Sequence, residues 1–569
     1  MEKELNIAIL GAGPSGMFLL KRLIETGRKN FRVDIFERGD KLGSGMPYSR
    51  QGAGDEHVTN VSANEIPQLV HPVAEWLNTV NADTLSRFNI SAERFNDYKV
   101  LPRLLFGNYL SDQFSAIIKQ GLDLGIKINI RLNSMVTDIA DQPDADQVVV
   151  HTNKGKAYSY DRVVVCTGHH WPAGSQHDTP GYYDAPYPPH RIRQKVNHEV
   201  GILGASLTAI DAVRTLAREN GEFYRDSDQQ LAYRRDSFCP NFKIVMHSRG
   251  GMLPAIRFHL DDSTLSSQGM LSKAELAAIR ESNDGFLPLD EIFKRSFLEP
   301  LQKRDPEFYN EISNLNLEAF VAKMMSLREE LDPFVLFRAE YTQAQKSINR
   351  KQSIHWKELL AVLSFSMNYP AKYFSAEDML RLKEVLMPLI SLVIAFVPQV
   401  SAEELLALNA AGVLELIAVS SDSVVIPSDK GGADIIIDGA TKHEGKIHYP
   451  LFIDCRGQPQ LSFDQLPYPS LIEQGTASPA SLRFNNAARA AALMDAGDHP
   501  IGKDENGRYH LRVSGIAIND HFQLVDSYGG HNQRIYMMAV PFIGGYNPDY
   551  SGLDFCEEAS GRITEKIFN

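Results

Sequence analysis

Apolar positions along the chain follow two periods. Leu5–Leu10 is a short, nearly continuous apolar run closed by Gly11. Met17–Glu25 carries apolar residues at helical spacing, and Phe31–Glu37 is a second strand-like run. The chain is therefore expected to open as a strand–helix–strand unit. Loops rich in Gly, Ser and Asn follow to about Ile66, and the next clear strand is Arg162–Cys166. A second such unit is expected from Val200–Leu203, through a helix to about Arg218, to a strand at Lys243–His247. From about Asp261 to Ala411 helical spacing dominates. There the patterns Ser272/Glu275, Ser375/Asp378 and Ser401/Glu404 read as capping boxes that open helices. Strands return at Val413–Val419, Asp434–Ile437, Leu451–Asp454, Gly515–Ile518, Gln523–Val525 and Ile535–Val540, and a last helix covers about Leu553–Ile567. The longest apolar run, Val385–Val397, is too short to span a bilayer and contains Pro388 and Ser391, so it reads as a buried helix.

This order predicts an α/β fold with two Rossmann-like dinucleotide-binding domains and a large all-helical insertion. The expected division is residues 1–195 and 471–569 for the first domain, discontinuous in sequence, 196–260 and 412–470 for the second, and 261–411 for the insertion. No period recurs and no low-complexity linker separates the parts.

Composition narrows the function classes. Of 569 residues, 43% are hydrophobic and 23% charged, which argues against a wholly disordered, fibrous or multi-span membrane chain. A formal net charge of −13 argues against nucleic acid as a partner and favours a cytoplasmic protein. The N-terminus does not read as a signal peptide. The four cysteines (Cys166, Cys239, Cys455, Cys556) form no Cys-x-x-Cys pair and no zinc-like cluster, so neither a disulfide scaffold, a dithiol reductase nor a metal site is expected. His355 and Trp356 read as core or interface residues rather than ligands. Serine-hydrolase, Walker and His-Glu-x-x-His patterns are absent.

The sharpest chemical signal is Gly11-Ala12-Gly13-Pro14-Ser15-Gly16 between the first strand and helix. Gly11 permits a tight turn, Gly13 lets a pyrophosphate approach the backbone, Gly16 lets the helix pack on the strand, and the helix N-terminus offers free N–H groups to phosphate. Glu37 ends the next strand about 20 positions on, where a carboxylate accepts from ribose hydroxyls, followed by Arg38. A carboxylate there repels a 2′-phosphate and suits FAD or NAD. The loop Gly43-Ser44-Gly45 reads as backbone lying against the cofactor, or as an ordinary flexible loop.

A degraded copy of this motif follows the strand Val200–Leu203: Gly204, Ser206, Leu207 and Thr208, with Ala209 last. Ser206 and Thr208 have hydroxyls to donate to phosphate. The strand Lys243–His247 leads into Ser248-Arg249, with arginine where the first unit has a carboxylate. A guanidinium grips a 2′-phosphate, so this site favours NADPH; a surface arginine on a turn is the alternative. Two such sites in one chain suit a resident flavin and a visiting hydride donor.

Gly11–Gly16, Glu37, Val164–His170 and Gly204–Ala209 resemble the two-dinucleotide-binding flavoproteins, and within them the class B flavin monooxygenases. His57–Ser62 after Tyr48-Ser49, and Leu101-Pro102-Arg103 with Phe106–Leu110, resemble bacterial FAD/NAD(P)-binding proteins. The resemblance covers residues 1–260 well and the C-terminal part only in outline. It implies FAD and NADPH as cofactors, cofactor-binding Thr167 and Gly168 in the crossover strand between the FAD and NADP domains, His169 and His170 as linker residues, and Asn60 as the group that positions or stabilises oxygenated flavin. It also implies a final helix aimed at the flavin pyrimidine ring, with backbone N–H groups at Gly544 and Gly545 in contact. The implied activity is NADPH-consuming monooxygenation through a C4a-(hydro)peroxyflavin. The substrate would be a small soft nucleophile, an amine or amino acid, and the co-substrate molecular oxygen.

Two departures stand out. Pro180-Gly181-Tyr182-Tyr183-Asp184 replaces the family's Phe-x-Gly-x-x-x-His-Ser, and no Gly-Asp precedes the last helix. They keep open a flavin reductase or dehydrogenase without oxygen insertion, and a non-catalytic flavin-binding sensor. The helical insertion is read as a lid over the substrate or as a homodimer face.

Overall fold

The computed structural model describes residues 4–168, 179–261, 271–437, 445–549 and 552–569. Its first sheet has the strand order Gln523–Val525, His531–Met537, Arg162–Val165, Leu5–Leu10, Phe31–Phe36, Lys127–Arg131. All pairings are parallel except that of Gln523–Val525. Ile7, Ala8, Ile9, Val163 and Val164 are wholly buried, as central strands covered on both faces must be. Helix Pro14–Glu25 lays Met17, Phe18, Leu20 and Leu23 on this sheet. The last helix, Leu553–Phe568, runs beside it, with Ser15 Oγ 3.4 Å from Cys556 Sγ and Lys21 Nζ 2.9 Å from a Glu557 carboxylate oxygen.

The second sheet is wholly parallel, ordered Tyr182–Tyr183, Leu451–Asp454, Glu199–Leu203, Lys243–Arg249, Leu414–Val419. Helix Leu207–Glu219 follows the central strand, as the first helix does in the first sheet. The α/β fold with two Rossmann-like sheets and a helical middle region is thus present. The Pro180–Asp184 segment supplies the edge strand. Gly181 has φ +78°, and a Cβ there would lie 2.2 Å from the Pro450 carbonyl oxygen.

The middle helices divide between the two cores. Phe293, Phe297, Phe320, Leu360, Leu363 and Ile390 join the core of the first sheet, whereas Phe337, Ala344, Ala402, Leu405 and Leu408 join that of the second. Helix Gln399–Ala410 packs as the crossover into strand Leu414–Val419. From Leu461 onward the chain returns to the first core.

Local expectations fare unevenly. Ser272 and Glu275 form a reciprocal capping box. Ser375 caps the amide of Asp378, but the Asp378 carboxylate accepts from Leu289 N and Arg381 instead of closing the box. Ser401/Glu404 opens no helix: the helix starts at Gln399 after Pro398, and Glu404 is drawn into a buried pair with Arg214 at 2.8 Å and Arg218 at 2.7 Å. The expected strand Gly515–Ile518 is the end of a longer one, Tyr509–Ile516, because alternating Leu511 and Val513 also face the core. Ile535–Val540 is strand His531–Met537, with Val540 passing into a short 3₁₀ turn ahead of Pro541. Val385–Val397 is broken helix and turn, with Leu389, Ile390 and Val393 buried. Among the described residues no helix is long and apolar enough to cross a membrane.

Candidate functional site

Both sheets reverse direction at their central strand: the chain moves to one side after Leu10 and returns on the other at Arg162, and the same happens around Leu203. Ligands of such sheets bind in the crevice beyond the strand ends at that point. Gly11 and Gly204 occupy the two switch points. Gly11 has φ +109°, donates to the Phe36 carbonyl at 2.8 Å, and leaves no room for a Cβ, which would lie 2.7 Å from the Cys166 carbonyl oxygen. Gly204 has φ +115°, donates to the His247 carbonyl at 2.7 Å, and would place a Cβ 2.8 Å from the Cys455 carbonyl oxygen.

Gly13 differs. A Cβ there would meet only Gly45 Cα, at an ordinary 3.5 Å. The protein itself does not need glycine at 13, but a pyrophosphate lying on the loop does. Gly13 is also the N-cap of a helix that no side chain caps, with Pro14 at its first position. Gly16 is fixed by packing, since a Cβ would lie 2.2 Å from the Gly11 carbonyl oxygen. Ser15 is engaged with Cys556. The Gly43–Gly45 loop closes on this turn through Gly43 N to Ala12 O, 2.7 Å.

Glu37 is oriented by two backbone donors, Ala12 N at 3.0 Å and Gly39 N at 2.7 Å, which hold its carboxylate beside the glycine loop with lone pairs to spare. Arg38 follows on the surface. Strand register then identifies the counterpart in the second site. Leu10 pairs with Phe36 and Leu203 with His247, so Ser248 holds the position of Glu37 and Arg249 that of Arg38. Ser206 is an exposed N-cap that makes no capping bond, Leu207 is half-buried, and Thr208 faces the turn at Gly457.

Other expected contacts are more dispersed. Thr167 meets the buried Tyr468, and Gly168 is exposed. His169 and His170 lie outside the described residues. Gly544 and Gly545 are buried, and a Cβ on Gly545 would lie 2.1 Å from the Ser514 carbonyl oxygen. Asn60 sits half-buried on strand Val58–Ser62; its carbonyl accepts from Arg257, and its side-chain amide has no hydrogen-bond partner among the described residues.

Arg257 was not among the expected residues. It reaches from the second domain to Asn60 O, Ser62 Oγ at 2.9 Å and the Glu65 carboxylate. A second buried strut lies beside it. Asp211, on the helix below Gly204, takes Arg103 Nη1 at 2.5 Å and the Tyr187 hydroxyl at 2.6 Å. Burial opposes ionisation of Asp211, but Arg103, His57, the Tyr187 hydroxyl and Arg214 together outweigh it and hold the carboxyl below the usual range. His57 accepts from Gly54 N at Nδ1, so Nε2 carries its proton toward Thr215 and the Asp211 carbonyl; burial pushes its pKa down. These pairs clamp the two nucleotide domains together.

One His/carboxylate group converges among the described residues, Asp261, His355 and Glu358, with donor atoms within 4.8 Å of each other. Glu358 lies 3.5 Å from the Arg304 guanidinium, which already balances its charge.

Residues 8–170 match the FAD-NAD(P)-binding family. Residues 272–394 match the YdhS-like middle domain. The chain is 28% identical over 473 residues to the uncharacterised protein YdhS of Escherichia coli K12, covering 82% of this chain and 86% of that protein. Among solved structures, ornithine hydroxylase PvdA from Pseudomonas aeruginosa is 11% identical with a TM-score of 0.46, covering 99% of this chain and 98% of that one. Bacillithiol disulfide reductase Bdr from Staphylococcus aureus is 10% identical with a TM-score of 0.41, covering 100% and 98%.

Proposed function

We propose that the protein is a flavin-dependent oxidoreductase that binds FAD at the Gly11–Gly16 loop and draws hydride from NADPH at the Gly204–Thr208 loop. The observation that carries this reading is the paired turn, Gly11 over Cys166 and Gly204 over Cys455, with Glu37 in the first copy replaced by Ser248 and then Arg249 in the second. The first copy suits a nucleotide with free ribose hydroxyls, and the second tolerates a 2′-phosphate. FAD supplies the electron-transfer chemistry when bound. The chain's part is placement: Glu37 orients the adenosine, the uncapped helix at Gly13 faces the pyrophosphate, and the final helix directs its positive end at the ring system.

The finer reading is monooxygenation of a small soft nucleophile, an amine by preference. Its support is Asn60, whose side-chain amide is unengaged among the described residues while Arg257 fixes its backbone at the domain seam. The absence of the family's Phe-x-Gly-x-x-x-His-Ser signature, in whose place Pro180–Asp184 supplies the edge strand Tyr182–Tyr183, favours electron transfer without oxygen insertion. Purified protein should be yellow, be reduced by NADPH faster than by NADH without oxygen, and take up oxygen with an amine to give an N-oxygenated product. A colourless protein that refuses added FAD overturns the whole reading; reduction without oxygenated product leaves the reductase.

A further inference from the structure

A cavity lies between the first domain and helix Lys273–Glu281 of the middle region, and no residue of either glycine turn lines it. Its free volume is about 160 Å³, close to the roughly 150 Å³ of an engineered cavity that holds benzene, so it accommodates a single ring or an aliphatic body of that size. Leu271, Leu276, Ile292 and Pro370 give it an apolar side.

Its polar side is cationic. Arg280, Lys273 and Arg562 line it, against one carboxylate, Asp520. Asp520 is already spoken for by Lys372 Nζ at 2.9 Å and the Tyr373 hydroxyl at 2.9 Å. Arg562 is held by Glu558 at 2.9 Å. Arg280 and Lys273 have no ion pair among the described residues. Arg280 stacks its guanidinium 3.5 Å from the Tyr373 ring centroid, and Arg562 does the same over Tyr369 at 3.6 Å. Stacking fixes the plane of each guanidinium and leaves its edge to hydrogen-bond.

Tyr369 borders the cavity through its ring. It is 4% exposed, and its hydroxyl is shut off from water-sized space. The outer wall can yield to an entering molecule, because helix Lys273–Glu281 buries none of its residues.

We propose that this cavity binds a small anion, a carboxylate or phosphate head on an apolar body of one ring. The head is received by Arg280 with Lys273, and the body lies against Leu276 and Ile292. The site stands whether or not the chain oxidises anything. Calorimetric titration of the full-length protein in excess FAD and NADP⁺, with benzoate, phenyl phosphate and uncharged benzamide, tests it. At least one anion binds, and the stronger of the two identifies the head group; benzamide binds at least tenfold more weakly. Arg280→Gln weakens the anion at least tenfold, as loss of a charge-assisted contact does, with flavin content unchanged. Lys273→Gln serves as the second variant should Arg280→Gln fold poorly. Binding of neither anion, equal binding of benzamide, or undiminished affinity in the arginine and lysine variants overturns the proposal.

Discussion

A Cβ on Gly204 would lie 2.8 Å from the Cys455 carbonyl oxygen, and the same relation joins Gly11 to Cys166 at 2.7 Å. In each copy the cysteine amide returns a hydrogen bond to the last residue of the central strand, Leu203 or Leu10, both at 2.8 Å. The two turns are therefore one device used twice. What separates the sites is the residue one step beyond His247 or Phe36.

That device separates structural from ligand-imposed glycines. Gly11→Ala drives a Cβ well inside contact distance of a carbonyl in a left-handed conformation, so it should lower stability by about 1–3 kcal/mol and abolish flavin retention. Gly13→Ala meets only ordinary contacts, so the melting temperature of the flavin-free protein should stay within about 2 °C while FAD affinity falls at least tenfold. Thermal melts with and without FAD, plus flavin absorbance per chain, measure both. A flavin-free Gly13→Ala protein that melts as low as Gly11→Ala would refute the assignment of this loop.

The Arg103–Asp211 strut should bear much of the domain seam. Asp211→Asn keeps the shape and a partner for Tyr187, but leaves a buried guanidinium uncompensated. Breaking such a pair costs about 3–5 kcal/mol. Urea unfolding should show a lower midpoint, and an early transition of the second domain would mark loss of coupling. An unchanged midpoint would mean that the seam is held elsewhere.

The legible and illegible parts of this molecule divide by range. The Gly11–Gly16 loop, Glu37 and the first helix form within one continuous stretch, so spacing and period expose them. Arg103 and Asp211 are 108 positions apart and Arg214 and Glu404 190, and no local pattern links them. Ser401/Glu404 shows how local reading misleads: the four-residue pattern is correct, but Pro398 sets the helix start and two distant arginines claim the carboxylate. Helical period likewise located the middle helices without saying that Phe297 would join one core and Phe337 the other.

Asp549 and Asp554 flank the start of the last helix. Burial raises Asp549 to about 6; burial, then Asp549, Glu557 and Glu558, raise Asp554 to about 7. A helix N-terminus favours an anion by about 0.3–1 kcal/mol, too little to offset this. Both groups hold a proton more tightly folded than unfolded. Their effect is thus absent below about pH 4, and stability falls as pH rises from there through 7. Asp554→Asn should then raise the unfolding free energy at pH 8 by about 1–3 kcal/mol and change little at pH 4. Denaturation of both proteins across this range checks the sign; a benefit confined to acid pH would reverse it.

Nucleotide choice should be convertible at one position. Ser248 occupies the register place of Glu37. On the proposed reading, Ser248→Glu brings a carboxylate to the ribose and sets it against a 2′-phosphate, while Arg249→Ala removes the guanidinium proposed to grip one. Ser248 is half-buried and Arg249 exposed at a strand end, so neither change disturbs the core, and flavin content should hold. The ratio of NADPH to NADH reduction rates at limiting cofactor should fall about tenfold in Arg249→Ala and further in the double variant, because a charge-assisted contact is replaced by repulsion. Rapid-mixing measurement of flavin bleaching without oxygen reads this ratio directly. A ratio unmoved by either change would place the hydride donor somewhere other than the Gly204 turn, whatever the first site holds.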